Sequence, residues 1–198
     1  AAFHETGLLA VLIMMDQSKK DPTKSNLMYL SIFLLLTISA SRDLAMSLNQ
    51  PFGYNVKFDF LDNSPSVQSY ADVVFCSIVG LIKTGPRLLR PIYKSIVAIL
   101  SNLAPYTKSL CKDGCEGLLY LLTVFAKKDF LLEREDNCKT LASLMEAINY
   151  LIAYHDESNH YLQVMLMKYQ SLFEWLELEA DKIGVPINQG IDRPAAVQ

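Results

Sequence analysis

Two cysteines near the middle of the chain have a spacing that suggests a metal or redox site. Cys111 and Cys115 enclose the residues Lys-Asp-Gly, which makes a C-x3-C pattern. Zinc sites usually pair cysteines as C-x2-C and add a second ligand pair nearby, and this chain has neither feature. Cys76 and Cys138 complete the set of four cysteines, and no secretory signal is visible. We therefore expect reduced cytosolic thiols, and neither a disulfide framework nor a zinc site.

Two histidines lie in an acidic turn. His155 and His160 stand five positions apart, with Asp156 and Glu157 between them. This composition would suit a divalent cation, but the spacing does not place both imidazoles on one face of a helix. A solvated turn over HDESN is the prediction that we prefer. The candidates to cap the next helix are Ser158 and Asn159.

Acidic residues form two short runs that invite comparison with catalytic carboxylate pairs. The runs are Glu133, Glu135 and Asp136, and then Glu174, Glu177, Glu179 and Asp181. Catalytic carboxylates need a cleft that raises one pKa, and nothing in the pattern indicates one, so we assign both runs to solvated helix faces. Phosphate-binding glycine loops and the GxSxG and HExxH motifs are absent from the sequence. The prediction is a protein that is no enzyme and has no cofactor, no metal and no small-molecule substrate.

The amino-acid composition of the chain argues against some classes of binding partner. Hydrophobic residues make up 51% of the 198 residues, and the net charge is -3. A chain without a basic surface is a poor ligand for nucleic acid, so we expect no nucleic-acid partner. Between Lys24 and Arg42 lie 17 uncharged residues. Because a membrane span needs about 20 predominantly apolar residues and this run includes several polar ones, we predict a buried core helix, with a membrane span as the alternative.

Apolar residues recur at three- and four-residue spacing along most of the chain, which predicts successive helices. The first candidate is Leu8 to Met15. The second begins at Asp21-Pro22 and runs to about Arg42, and a short helical turn follows over 43–49. Ser64-Pro65 predicts the next start, and Thr84-Gly85-Pro86 its end. The remaining stripes run from Leu88 to Leu103, Leu118 to Phe125, Asn137 to Ile152, and Leu162 to Leu176.

The segment over 51–62 breaks this helical pattern. In YNVKFDF the apolar residues alternate with polar ones, which is the two-residue period of a strand. No second strand is visible for it to pair with, so we predict an extended segment that crosses helix ends. Five methionines lie within the apolar stripes, and core packing explains them: Met14, Met15, Met145, Met165 and Met167. For Trp175 we expect packing of the last helix, with a protein contact as the alternative.

The predicted fold class is all-α. Helices of this length joined by short turns favour an armadillo/HEAT-like helical solenoid, with a helical bundle as the alternative. We expect one helical-repeat domain over 1–183 and a disordered tail over 184–198. The sequence begins AAFHETG without an initiator Met, which we interpret as an internal fragment of a longer protein.

Several motifs, in this order, resemble the high-temperature-induced dauer formation (Hid-1) family of large eukaryotic proteins. The first is a Leu-rich helix that is followed by Ser-x-x-Arg and then by Leu-Asn-x-Pro-aromatic. The extended segment and an Ala-Asp pair that opens a helix come next. The stretches LAPYTKSL, NYLIAYHDESNHYL and SLFEWLEL complete the series. The matching positions, whose role we expect to be structural, are Ser39, Arg42, Leu48, Asn49, Pro51, Phe52, Pro105, Tyr106, Lys108, Asn149 and Tyr154. The related dymeclin family shares the later region, but residues 42–60 fit the Hid-1 type better.

This resemblance implies a trafficking protein. Members of the family are cytoplasmic, attach peripherally to Golgi and trans-Golgi membranes, and take part in cargo sorting and vesicle formation. Its animal members look N-myristoylated at a glycine outside this sequence, and one acyl chain alone binds membranes only marginally. The resemblance therefore implies a non-enzymatic scaffold whose partners are other proteins, bound through helical surfaces, with peripheral membrane association of the full-length protein. The alternatives are a generic armadillo/HEAT-type adaptor and a dymeclin-like Golgi organisation protein.

Overall fold

The computed structural model describes residues 2–19, 21–53, 66–84, 89–155 and 158–183. We number its α-helices in chain order: α1 Ala2–Ser18, α2 Ser25–Ser39, α3 Arg42–Ser47, α4 Tyr70–Thr84, α5 Tyr93–Leu103, α6 Lys112–Phe125, α7 Lys128–Glu133, α8 Asp136–Ala153, α9 His160–Met167 and α10 Gln170–Ile183. Three 3-10 turns lie at Pro22–Lys24, Arg90–Ile92 and Ala104–Tyr106. The part of the chain described contains no strand, only an antiparallel bridge between Pro51 and Ser69. The prediction of an all-α fold is confirmed.

The helices contact one another in two rows. In one row α2 packs on α5 and α5 on α8, and in the other α1, α4, α6 and α9 pack in sequence. Contacts of α1 with α2, α4 with α5, and α6 with α8 join the rows. This arrangement is compatible with the armadillo/HEAT-like solenoid that we predicted.

Helix α4 is the most deeply buried of the described helices. Twelve of its fifteen residues are buried, and they include the consecutive residues Val73, Val74 and Phe75, which point to different sides of the helix. Gly117 of α6 allows a close approach, because a Cβ there would lie 2.6 Å from Cγ2 of Val79. A helix that is apolar on every side requires such enclosure.

Helix α2 corrects the prediction of a fully buried core helix. One face is buried, with Met28, Ile32 and Leu35 inward, but Leu30 and Phe33 face outward, and 63% of Phe33 is exposed. The sequence of α2 is apolar all round, so it does not distinguish the buried face from the exposed one. Among the described residues, no helix combines the length and apolarity that crossing a bilayer requires.

Several helix boundaries differ from the predicted ones. The start after Asp21 is confirmed, since the 3-10 turn Pro22–Lys24 leads directly into α2, and the helical turn predicted over 43–49 is α3. However, α4 begins at Tyr70 and not directly after Ser64-Pro65 as predicted, because Ser69 and Asp72 close a capping box at that point. Helix α6 reaches back to Lys112, and the last stripe is divided into α9 and α10.

Part of the extended segment and the whole predicted tail cannot be compared with the structure. Residues 54–65, which include the predicted helix start at Ser64-Pro65, lie outside the described residues. So do Gly85 and Pro86 of the predicted helix end, Asp156 and Glu157, and the tail over 184–198. The described start of the segment is extended: the backbone N–H of Phe52 donates to the carbonyl of Gln68 at 2.8 Å, and that of Tyr70 to Gln50 at 3.3 Å. The ring of Phe52 lies edge-on to Tyr70, with the centroids 5.3 Å apart.

Candidate functional site

The loop over 104–111, between α5 and α6, is the place where distant parts of the chain meet. We call it the 104–111 loop. Its sequence APYTKSLC contains no regular hydrogen-bonding pattern beyond the first turn. Buried polar backbone groups outside secondary structure need partners, and four side chains from other segments supply them.

Asn49 binds the loop through both ends of its amide. Its Nδ2 donates to the carbonyl of Tyr106 at 2.8 Å, and its Oδ1 accepts from the backbone N–H of Lys108 at 2.9 Å. The amide therefore replaces the partner that an adjacent strand would provide. Asn49 is the second residue after the end of α3 and lies 57 positions from Tyr106. Leu48, the C-cap of α3, is buried, and its carbonyl accepts from the backbone N–H of Ala71.

Asn159 binds the same loop from the opposite end of the chain. Its Oδ1 accepts from the backbone N–H of Leu110 at 2.9 Å, and its Nδ2 donates to the carbonyl of Leu151 at 2.8 Å and lies 3.5 Å from that of Thr107. Only 1% of Asn159 is exposed. Asn159 occupies the N-cap position of α9 but makes no side-chain cap bond, so the prediction of a capping side chain at this position is wrong.

Asp72 connects the loop to the start of α4. One carboxylate oxygen accepts from the backbone N–H of Cys111 at 2.7 Å, while the other accepts from Ser69 at 2.9 Å and Gln68 at 3.0 Å. Asp72 is 2% exposed. A buried carboxylate is tolerated where several N–H groups bind it, so Asp72 fixes the relative position of α4 and the loop.

His155 is the fourth side chain that contacts the 104–111 loop. Its Nε2 lies 3.1 Å from the carbonyl oxygen of Pro105. A carbonyl only accepts, so in this contact Nε2 carries the proton. His160 is exposed at the first position of α9. The structure therefore separates the two histidines, and no cluster of three or more His, Cys, Asp or Glu residues able to hold a metal occurs among the described residues.

Some of the positions that match the Hid-1 family motifs contact one another or the 104–111 loop, and others do not. Asn49 joins Tyr106 and Lys108, Pro105 meets His155, and Ser39 accepts a hydrogen bond from Asn102 at 3.0 Å. Arg42 is exposed at the first position of α3. Asn149 is half-buried in α8, and Tyr154 packs against Tyr150. Sequence reasoning missed Asp72 as a loop ligand, although the Ser-x-x-Asp spacing before an apolar run is a capping-box signal.

The four cysteines are free thiols. Sγ of Cys111 accepts from the backbone N–H of Gly114 at 3.3 Å and lies 3.8 Å from Sγ of Cys76. Sγ of Cys115 donates to the carbonyl of Leu110 at 3.5 Å. Burial raises the pKa of the Cys115 thiol to about 12. The two thiols of the C-x3-C pattern therefore have different hydrogen-bond partners.

The described surface offers one further feature, a shallow groove between the α6–α7 turn and α10. Trp175 is half-buried and lines it together with Leu172, Lys127 and Lys128. The described residues of the acidic runs lie at the surface: Glu133 pairs with Arg90 at 2.7 Å, and Glu174 accepts from Gln170. The side chains of Glu179 and Asp181 are not among those described. Met167 is 77% exposed, so core packing does not explain this methionine.

Comparison with known proteins identifies the family. The model of the family described as high-temperature-induced dauer-formation protein matches residues 7–187. Protein HID1 of Dictyostelium discoideum is 32% identical over 169 residues, which cover 85% of this chain and 18% of that protein. Protein HID1 of Homo sapiens is 27% identical over the same length, with 85% and 21% covered. The chain thus spans about a fifth of the length of these curated relatives, and no solved structure matches it. The chain belongs to the Hid1 family.

Proposed function

We propose that this chain is a helical scaffold segment of a Hid-1-like protein that acts in vesicle trafficking and cargo sorting at Golgi and trans-Golgi membranes. The observation that carries the proposal is the family match over residues 7–187. The proposed location is the cytoplasmic side of these membranes, with peripheral attachment of the full-length protein. The proposed partners are other proteins.

The structure supports a binding role over a catalytic one in two respects. The polar side chains buried around the 104–111 loop are used in hydrogen bonds to backbone, which leaves them no free group for chemistry. Among the exposed large apolar side chains, Leu30 and Phe33 lie three positions apart on α2 and share one face of that helix. Adjacent exposed apolar side chains are typical of surfaces that contact other proteins.

Complementation of secretion in cells that lack the gene tests the proposal. Tagged full-length protein should co-localise with Golgi markers and restore secretion. The Asn159→Ala variant should fail to restore it because the 104–111 loop loses its buried partner, whereas Asn149→Ala, a half-buried asparagine in α8, should restore it. A diffuse signal together with normal secretion after deletion would overturn the proposal. Golgi localisation with altered Golgi shape but normal cargo sorting would favour the dymeclin-like alternative.

A further inference from the structure

We propose that Cys76 and Cys111 form a redox-active thiol pair, a site at which a hydroperoxide converts two thiols into a disulfide between α4 and the start of α6. Their Sγ atoms lie 3.8 Å apart, and the two residues are 35 positions apart in the sequence. A structural role alone does not require two sulfur atoms in contact at this position. The inference goes beyond the proposed scaffold function and does not depend on it.

The backbone around the pair is already held in place for a disulfide. Asp72 and Cys76 are four positions apart on α4, so their side chains extend from the same face. Asp72 binds the backbone N–H of Cys111 at 2.7 Å, while Cys76 meets its sulfur. Because a disulfide has an S–S length of about 2.0 Å, the two sulfur atoms, now 3.8 Å apart, need to approach each other when the bond forms.

The two thiols differ in a way that assigns their roles. Sγ of Cys111 lies at the N-terminus of the fourteen-residue helix α6, where it accepts from the N–H of Gly114. The hydrogen bond from the Cys76 thiol lowers the pKa of Cys111, against the opposing effects of burial and of the Asp72 carboxylate. The same hydrogen bond, with burial, raises the pKa of Cys76. Cys111 is also half-buried while Cys76 is buried, so Cys111 is the attacking thiolate and Cys76 the resolving thiol.

The reaction balances with one molecule of hydrogen peroxide. The Cys111 thiolate attacks one peroxide oxygen, an S–O bond forms, the O–O bond breaks, and hydroxide leaves to take up a proton as water. The sulfur of Cys76 then attacks the sulfenic sulfur of Cys111. The S–S bond forms, the S–O bond breaks, and the departing hydroxide takes the proton of Cys76 as a second water. Each sulfur loses one electron, and the peroxide is reduced by two.

Cys115 and Cys138 take no part in this reaction. Cys115 is fully buried with its Sγ directed to the carbonyl of Leu110. Cys138 lies at the start of α8 with its Sγ 4.0 Å from the carbonyl of Leu131. Oxidation of the pair would therefore join α4, the most buried of the described helices, to α6 by a covalent bond without involving a third thiol.

Peptide mapping tests the pair directly, because trypsin cuts after Lys112 and so separates Cys111 from Cys115. In the full-length protein treated with hydrogen peroxide, then alkylated and digested, peptide 109–112 should be linked to peptide 58–83, which carries Cys76. Dithiothreitol should release the two peptides. The cross-link should vanish in Cys76→Ser, where a dimedone adduct should instead appear on Cys111. Cys138→Ser serves as the matched control and should leave the cross-link unchanged.

Three outcomes would overturn the proposal. The first is a cross-link between peptides 109–112 and 113–127, which would pair Cys111 with Cys115. The second is oxidation of Cys111 to the sulfinic acid with no cross-link in the unsubstituted protein. The third is the absence of any oxidation of Cys111 under conditions that oxidise Cys138. Because all three are measured on the unsubstituted protein, a folding defect in a variant does not affect the result.

Discussion

The carboxylate of Asp72 accepts a hydrogen bond from the backbone N–H of Cys111 at 2.7 Å, across 39 positions of sequence. The same carboxylate also accepts from the backbone N–H groups of Ser69 and Gln68. One side chain therefore stabilises the first turn of α4 and the position at which α6 begins. The two helices also pack directly against each other, so the contact fixes their relative position as well as the local turn.

Replacement of Asp72 with Ala should destabilise the fold strongly. Three backbone N–H groups lose their acceptor, and among them is that of the half-buried Cys111. Unpaired buried donors cost about 1–3 kcal/mol each, so we expect the free energy of unfolding to fall by about 3 kcal/mol or more. Chemical denaturation followed by circular dichroism measures this change. Ser69→Ala removes only the hydrogen bond that Ser69 Oγ accepts from Asp72 and should cost about 1 kcal/mol; equal losses in the two variants would contradict the assigned role.

Asn159 and Asn149 form a matched pair for the second prediction. Asn159→Ala leaves the N–H of Leu110 and the carbonyl of Leu151 without their side-chain partner, and we expect a loss of about 2–4 kcal/mol. Asn149→Ala replaces a half-buried residue in the last two turns of α8, where Ala has the higher helix propensity. Its effect should lie within about 0.5 kcal/mol. Similar melting temperatures for the two variants would show that the loop does not depend on Asn159.

The same substitution at two glycines should have opposite effects. Gly117→Ala places a Cβ 2.6 Å from Cγ2 of Val79 at the contact of α4 with α6, and overpacking of this kind costs about 1–3 kcal/mol. In α1, a Cβ at Gly7 meets nothing within 4 Å. Gly7→Ala should therefore stabilise the protein by about 0.5–1 kcal/mol through helix propensity. Thermal unfolding should show a lower midpoint for the first variant and a higher one for the second.

Local patterns predicted the helices but not the contacts that hold the 104–111 loop. The three- and four-residue spacing locates most helices because one face of each is buried. The pairing of Asn49 with Tyr106, or of Asp72 with Cys111, depends on segments that are 57 and 39 positions apart, and no local rule refers to such distances. Asn159 shows the effect most clearly, because its position before a helix predicts a cap, while its burial directs the amide to the loop instead.

Helix α2 marks the second limit of sequence reasoning. Its residues are apolar on all sides, so hydrophobic periodicity carries little information about orientation. The structure buries Met28, Ile32 and Leu35 and leaves Phe33 exposed. In α4 the same apolar character does correspond to burial on nearly every side. The two helices differ in what surrounds them, which the sequence of each helix alone does not specify.

The pH dependence of thiol alkylation gives the last prediction. The hydrogen bond from Cys76 lowers the pKa of Cys111, whereas burial raises that of Cys115 to about 12. Since only the thiolate reacts with iodoacetamide, Cys111 should be alkylated about tenfold or more faster than Cys115 at neutral pH, and its rate should level off at a lower pH. The neighbouring groups that shift the pKa of Cys111 are Cys76, Asp72, the backbone N–H of Gly114 and Ser66.

Cys76→Ala is the informative variant for this measurement. Alanine has no side-chain donor, so Cys111 loses the hydrogen bond that lowers its pKa. The pKa of Cys111 should therefore rise, and its alkylation at neutral pH should slow. The pH profile of Cys115 should change less than that of Cys111, because burial is the first cause of its raised pKa. Mass spectrometry of peptides 109–112 and 113–127 follows both cysteines in one sample. An unchanged profile for Cys111 in this variant would show that Cys76 does not set its reactivity.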